Sequence, residues 1–156
     1  MDLQAQVQAL IDEAPPDLDM QAIRVVAEVL GEVAQGLVHP QYYLLRNLAQ
    51  QWQVTTLQHR DQPNRQKTVL YAYGNLSDAT SAGQAADLMA VPMPTVQLLF
   101  HFFSFGQVDS LLFLDEVNRP DQMRELKHLD LQSLVRASLE QQVMEQALDK
   151  PFGDIA

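Results

Sequence analysis

The stretch Val108-Asp109-Ser110-Leu111-Leu112-Phe113-Leu114-Asp115-Glu116 decides the fold. Leu111 to Leu114 leave no polar face, so a strand here must be covered on both sides, as central strands are. Just upstream, Val96 to Phe105 is apolar except at Gln97, His101 and Ser104. Those three recur at spacings of four and three, which puts them on one narrow stripe of a helix. The helix is therefore expected to be buried on most sides, with one wet edge. Pro94 suits its first turn and Gly106 its end. Before it, Leu88-Met89-Ala90-Val91, bounded by Pro92 and Pro94, reads as a short edge strand. Strand, helix and strand in succession predict a right-handed crossover.

Working outward, Gln53 to Gln58 and Lys67 to Tyr73 are rich in β-branched and aromatic residues. Arg60 to Arg65 between them is turn chemistry, so the pair predicts an antiparallel hairpin. Tyr42-Tyr43-Leu44-Leu45-Arg46 fits either a preceding strand or a helix opened by Pro40, and we favour the strand. Asn75 and Ser77 lead into a weak helix, Asp78 to Ala86, with Gly83 inside it. The sheet is thus expected from about residues 52–59, 67–73, 88–91 and 108–114.

At the N-terminal end, Leu3, Val7, Leu10 and Ile11 share one helical face, and Pro15-Pro16 ends that helix. Asp17 or Asp19 is placed to cap a second helix bearing Ile23, Val26, Ala27, Leu30, Val33 and Ala34. Gly36 is expected to stop it in a left-handed conformation. A last helix runs from about Asp130 to Leu148 on Leu131, Leu134, Val135, Leu139 and Val143. The N-terminal pair and this helix are expected to cover the sheet's faces. The expected organisation is one α+β domain over 1–150, with a helical hairpin (1–37), a sheet core (41–116) and a C-terminal helix (130–148). Residues 151–156 form a tail without periodicity.

With 156 residues the chain is long enough to bury a core without staples. It has no cysteine, which removes disulfides, thiolate zinc sites and cysteine nucleophiles. Its net charge of −10 repels a phosphate backbone, so nucleic acid is not expected as a partner. No run reaches the roughly 18 apolar residues of a spanning helix, so no integral membrane segment is expected. The N-terminus lacks a basic region followed by an apolar run, so a secretory signal is not expected and the cytoplasm is the expected location.

Several motifs look richer than they are. Leu111 to Glu116 resembles the Walker B segment of AAA+ ATPases, an apolar strand ending in two carboxylates. The G-x-x-x-x-G-K-[ST] phosphate cradle that such chemistry needs is absent. His39, His59, His101 and His128 have no i, i+4 pairing, so no metal site is expected. Ser104 has no G-x-S-x-G frame and no neighbouring base. His59-Arg60-Asp61 reads as a polar strand end, since adjacent strand residues point apart. Tyr42, Tyr43, Trp52, Tyr71 and Tyr73 suggest sheet packing, because the cationic groove that base stacking requires is missing.

The order from Lys67 to Glu116 carries a resemblance. A strand, Val69 to Tyr73, leads to Asn75-Leu76-Ser77-Asp78-Ala79, then Leu88 to Pro92, an apolar helix and Val108 to Asp115. This resembles the N-terminal domain of SseB-like proteins, and small conserved cyanobacterial proteins of unknown role. An Asn-Pro-Gly turn after the last strand is replaced here by Asp115-Glu116-Val117-Asn118. The resemblance implies a protein-interaction or secretion-accessory domain and brings no active-site residues with it.

The sequence therefore favours a non-enzymatic interaction or assembly module, without cofactor, whose partner is another protein or a second copy as a homodimer. Leu3, Val7, Leu10, Phe100 and Phe103 are its candidate docking residues. The alternative is a small enzyme or ligand-binding domain with a site near the end of strand 108–114, using His101, Asp115, Glu116 and Arg119.

Overall fold

The computed structural model describes residues 2–58, 60–62, 64–83, 87–104, 107–115 and 123–149. In chain order the elements are α1 (Leu3–Asp12), α2 (Met20–Gln35), β1 (Gln41–Arg46), β2 (Val54–Gln58), β3 (Gln66–Tyr73), α3 (Leu76–Gly83), β4 (Met89–Pro94), α4 (Thr95–Ser104), β5 (Ser110–Leu114), β6 (Arg124–Lys127) and α5 (His128–Asp149). This is an α+β fold on a mixed sheet ordered β4-β1-β3-β5-β6, with β2 also paired to β3. The apolar stretch behaves as its sequence requires. Within β5, Leu111 and Phe113 are fully buried, and the strand has a neighbour on each side.

The first two helices follow their capping chemistry. Asp2 accepts from the Ala5 amide at 2.7 Å, and Asp19 from the Gln21 amide at 3.0 Å. Each thereby satisfies a donor that the first turn leaves open. Gly36 departs from the expected left-handed stop: its φ is −79°, ordinary right-handed backbone, and its amide bonds back to Val33. Gly31 is needed for space instead. A Cβ there would lie 2.7 Å from Cγ2 of Val7, so its absence lets α1 lie close on α2.

The strand reading of 41–46 holds, and both sides of the prolines belong to β4, which continues through Pro94. Proline lacks a ladder donor, and β4 is accordingly an edge strand, paired only to β1 among the described strands. β4 is antiparallel to β1, β1 to β3, and β3 is parallel to β5. So β4–α4–β5 is a parallel crossover that passes over two intervening strands.

β1 and β2 lie end to end along the same edge of β3. Tyr43 faces Tyr73, while Val54 to Gln58 face Leu70 to Gln66. Between them the chain leaves the sheet and returns through a small hairpin. Its rungs are Gln53 N to Leu45 O, the Arg46–Trp52 bridge and Asn47 N to Gln51 O. Gln50 turns the tip at φ 63°, in the left-handed region.

Helices do not cover the two faces as expected. Tyr42, Leu44, Leu70, Ala72, Leu111 and Phe113 point to one side, into a core shared with α1, α2, α4 and α5. Alternation sends Tyr43, Leu45, Tyr71, Tyr73 and Leu114 to the other side, where α3 packs through Ala79. The N-terminal pair and the C-terminal helix therefore lie on the same face, because α2 and α4 offer both of them an apolar surface.

Two further elements differ from expectation. The last helix begins at His128, two residues earlier than expected, and β6, a strand that the sequence pattern does not announce, precedes it. The weak helix spans Leu76–Gly83 rather than starting at Asp78, with the Asp78 amide capped by Asn75 at 2.8 Å. The end expected at Ala86 lies outside the described residues.

Candidate functional site

The carboxyl end of β5 carries a polar cluster. Tyr42 in β1 is fully buried on the helix-covered face, and its hydroxyl donates to Oδ1 of Asp115 at 2.7 Å. The His39 amide approaches the same hydroxyl at 3.4 Å. The His39 ring meets Tyr42 edge-on at 5.4 Å, and its Nε2 lies 4.0 Å from Asp115 Oδ1. Gly74 makes room for that ring: a Cβ there would sit 2.7 Å from His39 Nε2 and 2.9 Å from the Asp115 carbonyl. Burial, then the hydrogen bond to Asp115, pushes the Tyr42 phenol well above its ordinary value. The phenol thus stays protonated and donating, which makes the cluster a tie between β1 and β5. The buried Thr95 holds the backbone of His39 in place, its hydroxyl donating to the His39 carbonyl at 2.7 Å.

The proposed companions of Asp115 are not brought to it. His101 lies on the wet stripe of α4 with Gln97 and Ser104, all exposed as the spacing predicted. It borders a cavity with Val108, ahead of β5, whereas Asp115 follows that strand. Five strand residues at roughly 3.3 Å each separate the two ends. Glu116 and Arg119 lie outside the described residues, as do His59 and the 151–156 tail. His128, by contrast, is a structural tether. Its Nε2 donates to the Phe103 carbonyl at 3.0 Å, and its ring meets Phe102 edge-on at 5.5 Å. Among the described residues no three His, Asp or Glu side chains group as metal ligands.

Leu3, Val7, Leu10, Phe100 and Phe103 are half-buried and packed against the main core. The face they form is shared between α1 and α4, so most of their apolar surface is already spent inside the molecule. A buried glutamine locks that junction. Gln6 donates from Nε2 to the Pro40 carbonyl at 2.8 Å, and its Oε1 accepts from the Val96 amide at 2.9 Å, capping the first turn of α4.

Among the elements that carry exposed apolar side chains is α5, with Leu129, Leu134, Val143 and Met144. Leu131 and Val135 anchor this 22-residue helix to α2 and α4. Leu134 is 50% exposed and Met144 65% exposed. Leu134, Ala137, Gln141 and Met144 recur at spacings of three, four and three. At 100° per residue this stripe is turned roughly 130° away from the buried one. Glu140 and Glu145, both exposed, flank it. The sequence contained this spacing, but Leu131, Val135 and Leu139 form a competing stripe on the same helix.

No protein-family model, curated protein or solved structure matches this chain. Among the described residues, no helix is long and apolar enough to cross a membrane.

Proposed function

We propose that the protein is a non-enzymatic interaction module that docks a basic amphipathic helix of another protein on the outer stripe of α5. The observation that carries this reading is the repeat Leu134-Ala137-Gln141-Met144, exposed on a helix already anchored by its opposite side. Spacings of three and four are those of a seam between two helices. Charge selects the occupant. In a symmetric parallel pair of copies, Glu140 of each would meet Glu145 of the other. A partner helix with lysine or arginine beside its apolar stripe would pair with both. The chain's net charge of −10 favours its approach.

The test is photocrosslinking in native extract from a photoreactive residue at position 144, with position 28 on exposed α2 as control. Capture of a helical, lysine- or arginine-rich segment, from 144 only and weakened by salt, supports the reading. Capture of a second copy, of an acidic segment, or equally from both positions overturns it.

A further inference from the structure

A second feature of the fold is independent of α5. Between the helix-covered face of the sheet and the C-terminal half of α4 lies a cavity of about 130 Å³. Leu44, Leu98 and Phe102, each at most 2% exposed, form its floor. Trp52, Val54 and His101 border it where it meets solvent. A water held there needs two or more polar partners, which an apolar floor does not offer. An engineered apolar cavity of about 150 Å³ stays dry and admits benzene, so this volume suits one ring or a short chain.

The mouth has a different chemistry. The Arg46 guanidinium lies over the Trp52 ring, 5.6 Å from its centroid. Among the described residues Arg46 makes no ion pair with a carboxylate. His101 lines the cavity itself, as Trp52 does. In a chain of net charge −10, a guanidinium stacked on Trp52 of the cavity wall and a histidine nitrogen in that wall select for an acceptor or an anion. Glu13 shares the adjoining groove under α1 with His101 and sets a limit on negative charge on that side.

We infer that this cavity binds a small apolar acid, a single aromatic ring or a chain of about six carbons bearing one carboxylate. The apolar body fills the space between sheet and α4, and the carboxylate rests at the mouth against Arg46 and His101. The hairpin of residues 46–53 supplies both the guanidinium and the ring that frames the opening.

Trp52 is the only tryptophan, so its fluorescence reports the site directly. Titration at neutral pH with benzoate and hexanoate should give a saturable change. Acetate, which lacks the body, should bind roughly a hundredfold more weakly. Arg46→Gln should weaken benzoate about tenfold while leaving uncharged benzene unaffected. Methyl spectra of the wild-type protein should show Met93, which lines the cavity, shifting with the same midpoint. A linear, unsaturable response, equal responses to acetate and hexanoate, unchanged benzoate affinity in Arg46→Gln, or a silent Met93 methyl would each overturn the assignment.

Discussion

Replacing Tyr42 with phenylalanine isolates one hydrogen bond at the heart of the fold. The ring stays, and with it the edge contact to Phe113 at 5.0 Å. What is lost is the 2.7 Å bond to Asp115 and the long approach of the His39 amide at 3.4 Å. A hydrogen bond to a charged partner contributes about 1.5–3 kcal/mol, and one as long as 3.4 Å adds little. The cost of Tyr42→Phe at neutral pH is therefore about 2 kcal/mol. Asp115 is left slightly exposed, so water recovers part of its solvation and keeps the cost from rising further.

The pH dependence gives the same bond a second signature. Burial and Asp115 raise the folded Tyr42 phenol above its ordinary 10.0. Above that value the unfolded chain loses a proton that the folded chain retains. The unfolded state then binds fewer protons, so stability falls as pH rises, by at most about 1.4 kcal/mol per unit for this group. The contribution is complete below about pH 10 and is lost progressively towards the raised folded value. Tyr73 is also raised by burial, but it is common to both proteins and cancels in their difference. The gap of about 2 kcal/mol between wild type and Tyr42→Phe should hold to about pH 9 and close by about pH 11.5. Urea unfolding of both proteins across this range measures it. A gap that stays constant through pH 11, or no gap at neutral pH, would refute the tie between Tyr42 and Asp115.

Phe113→Ala should cost about 3–5 kcal/mol in the same unfolding assay, because a fully buried ring at the centre of the sheet leaves a hole that its neighbours cannot fill. Gln6→Leu should cost about 2–4 kcal/mol, and amide exchange at Val96 should accelerate first, since both the Pro40 carbonyl and the Val96 amide lose their buried partner. Gly74→Ala should destabilise by about 1–3 kcal/mol and shift the His39 ring resonances, because the new methyl group occupies the ring's position.

The parts of this fold that sequence foretells are those whose burial pattern is unambiguous. Leu111 to Leu114 admit no amphipathic arrangement, and Gln97, His101 and Ser104 define the exposed edge of α4 to the residue. β6 was hidden because Arg124-Glu125-Leu126-Lys127 carries one apolar side chain and no alternation. Its strand character comes from pairing with β5, where Glu125 accepts from the buried Ser110 hydroxyl at 2.6 Å and pairs with Lys67. The hairpin at 46–53 was equally silent, since its tip uses Gln50 where turn chemistry would favour glycine or asparagine. The candidate site suffered from distance along the chain. Tyr42 and Asp115 are 73 residues apart, and a hydrophobic pattern cannot show that their polar atoms meet.

The crossover explains why the chemistry-bearing residues separate into two ends. Because β4 is parallel to β5, α4 must run back across the sheet and end near the start of β5. His101, in the last turn of α4, is thereby committed to the end opposite Asp115. At the Asp115 end, β1, β3 and β5 run side by side, and Tyr42, Gly74 and Asp115 close on one another. At the His101 end, β1 has left the sheet at Arg46 and β2 does not resume until Val54. A continuous strand would send an alternating side chain down onto α4 at each second residue of that gap. The excursion sends Trp52 to the rim instead and leaves the space beneath it open. The cavity is thus the direct consequence of an interrupted strand lying over the C-terminal half of a crossover helix, and its polar rim follows from the residues that the interruption carries outward.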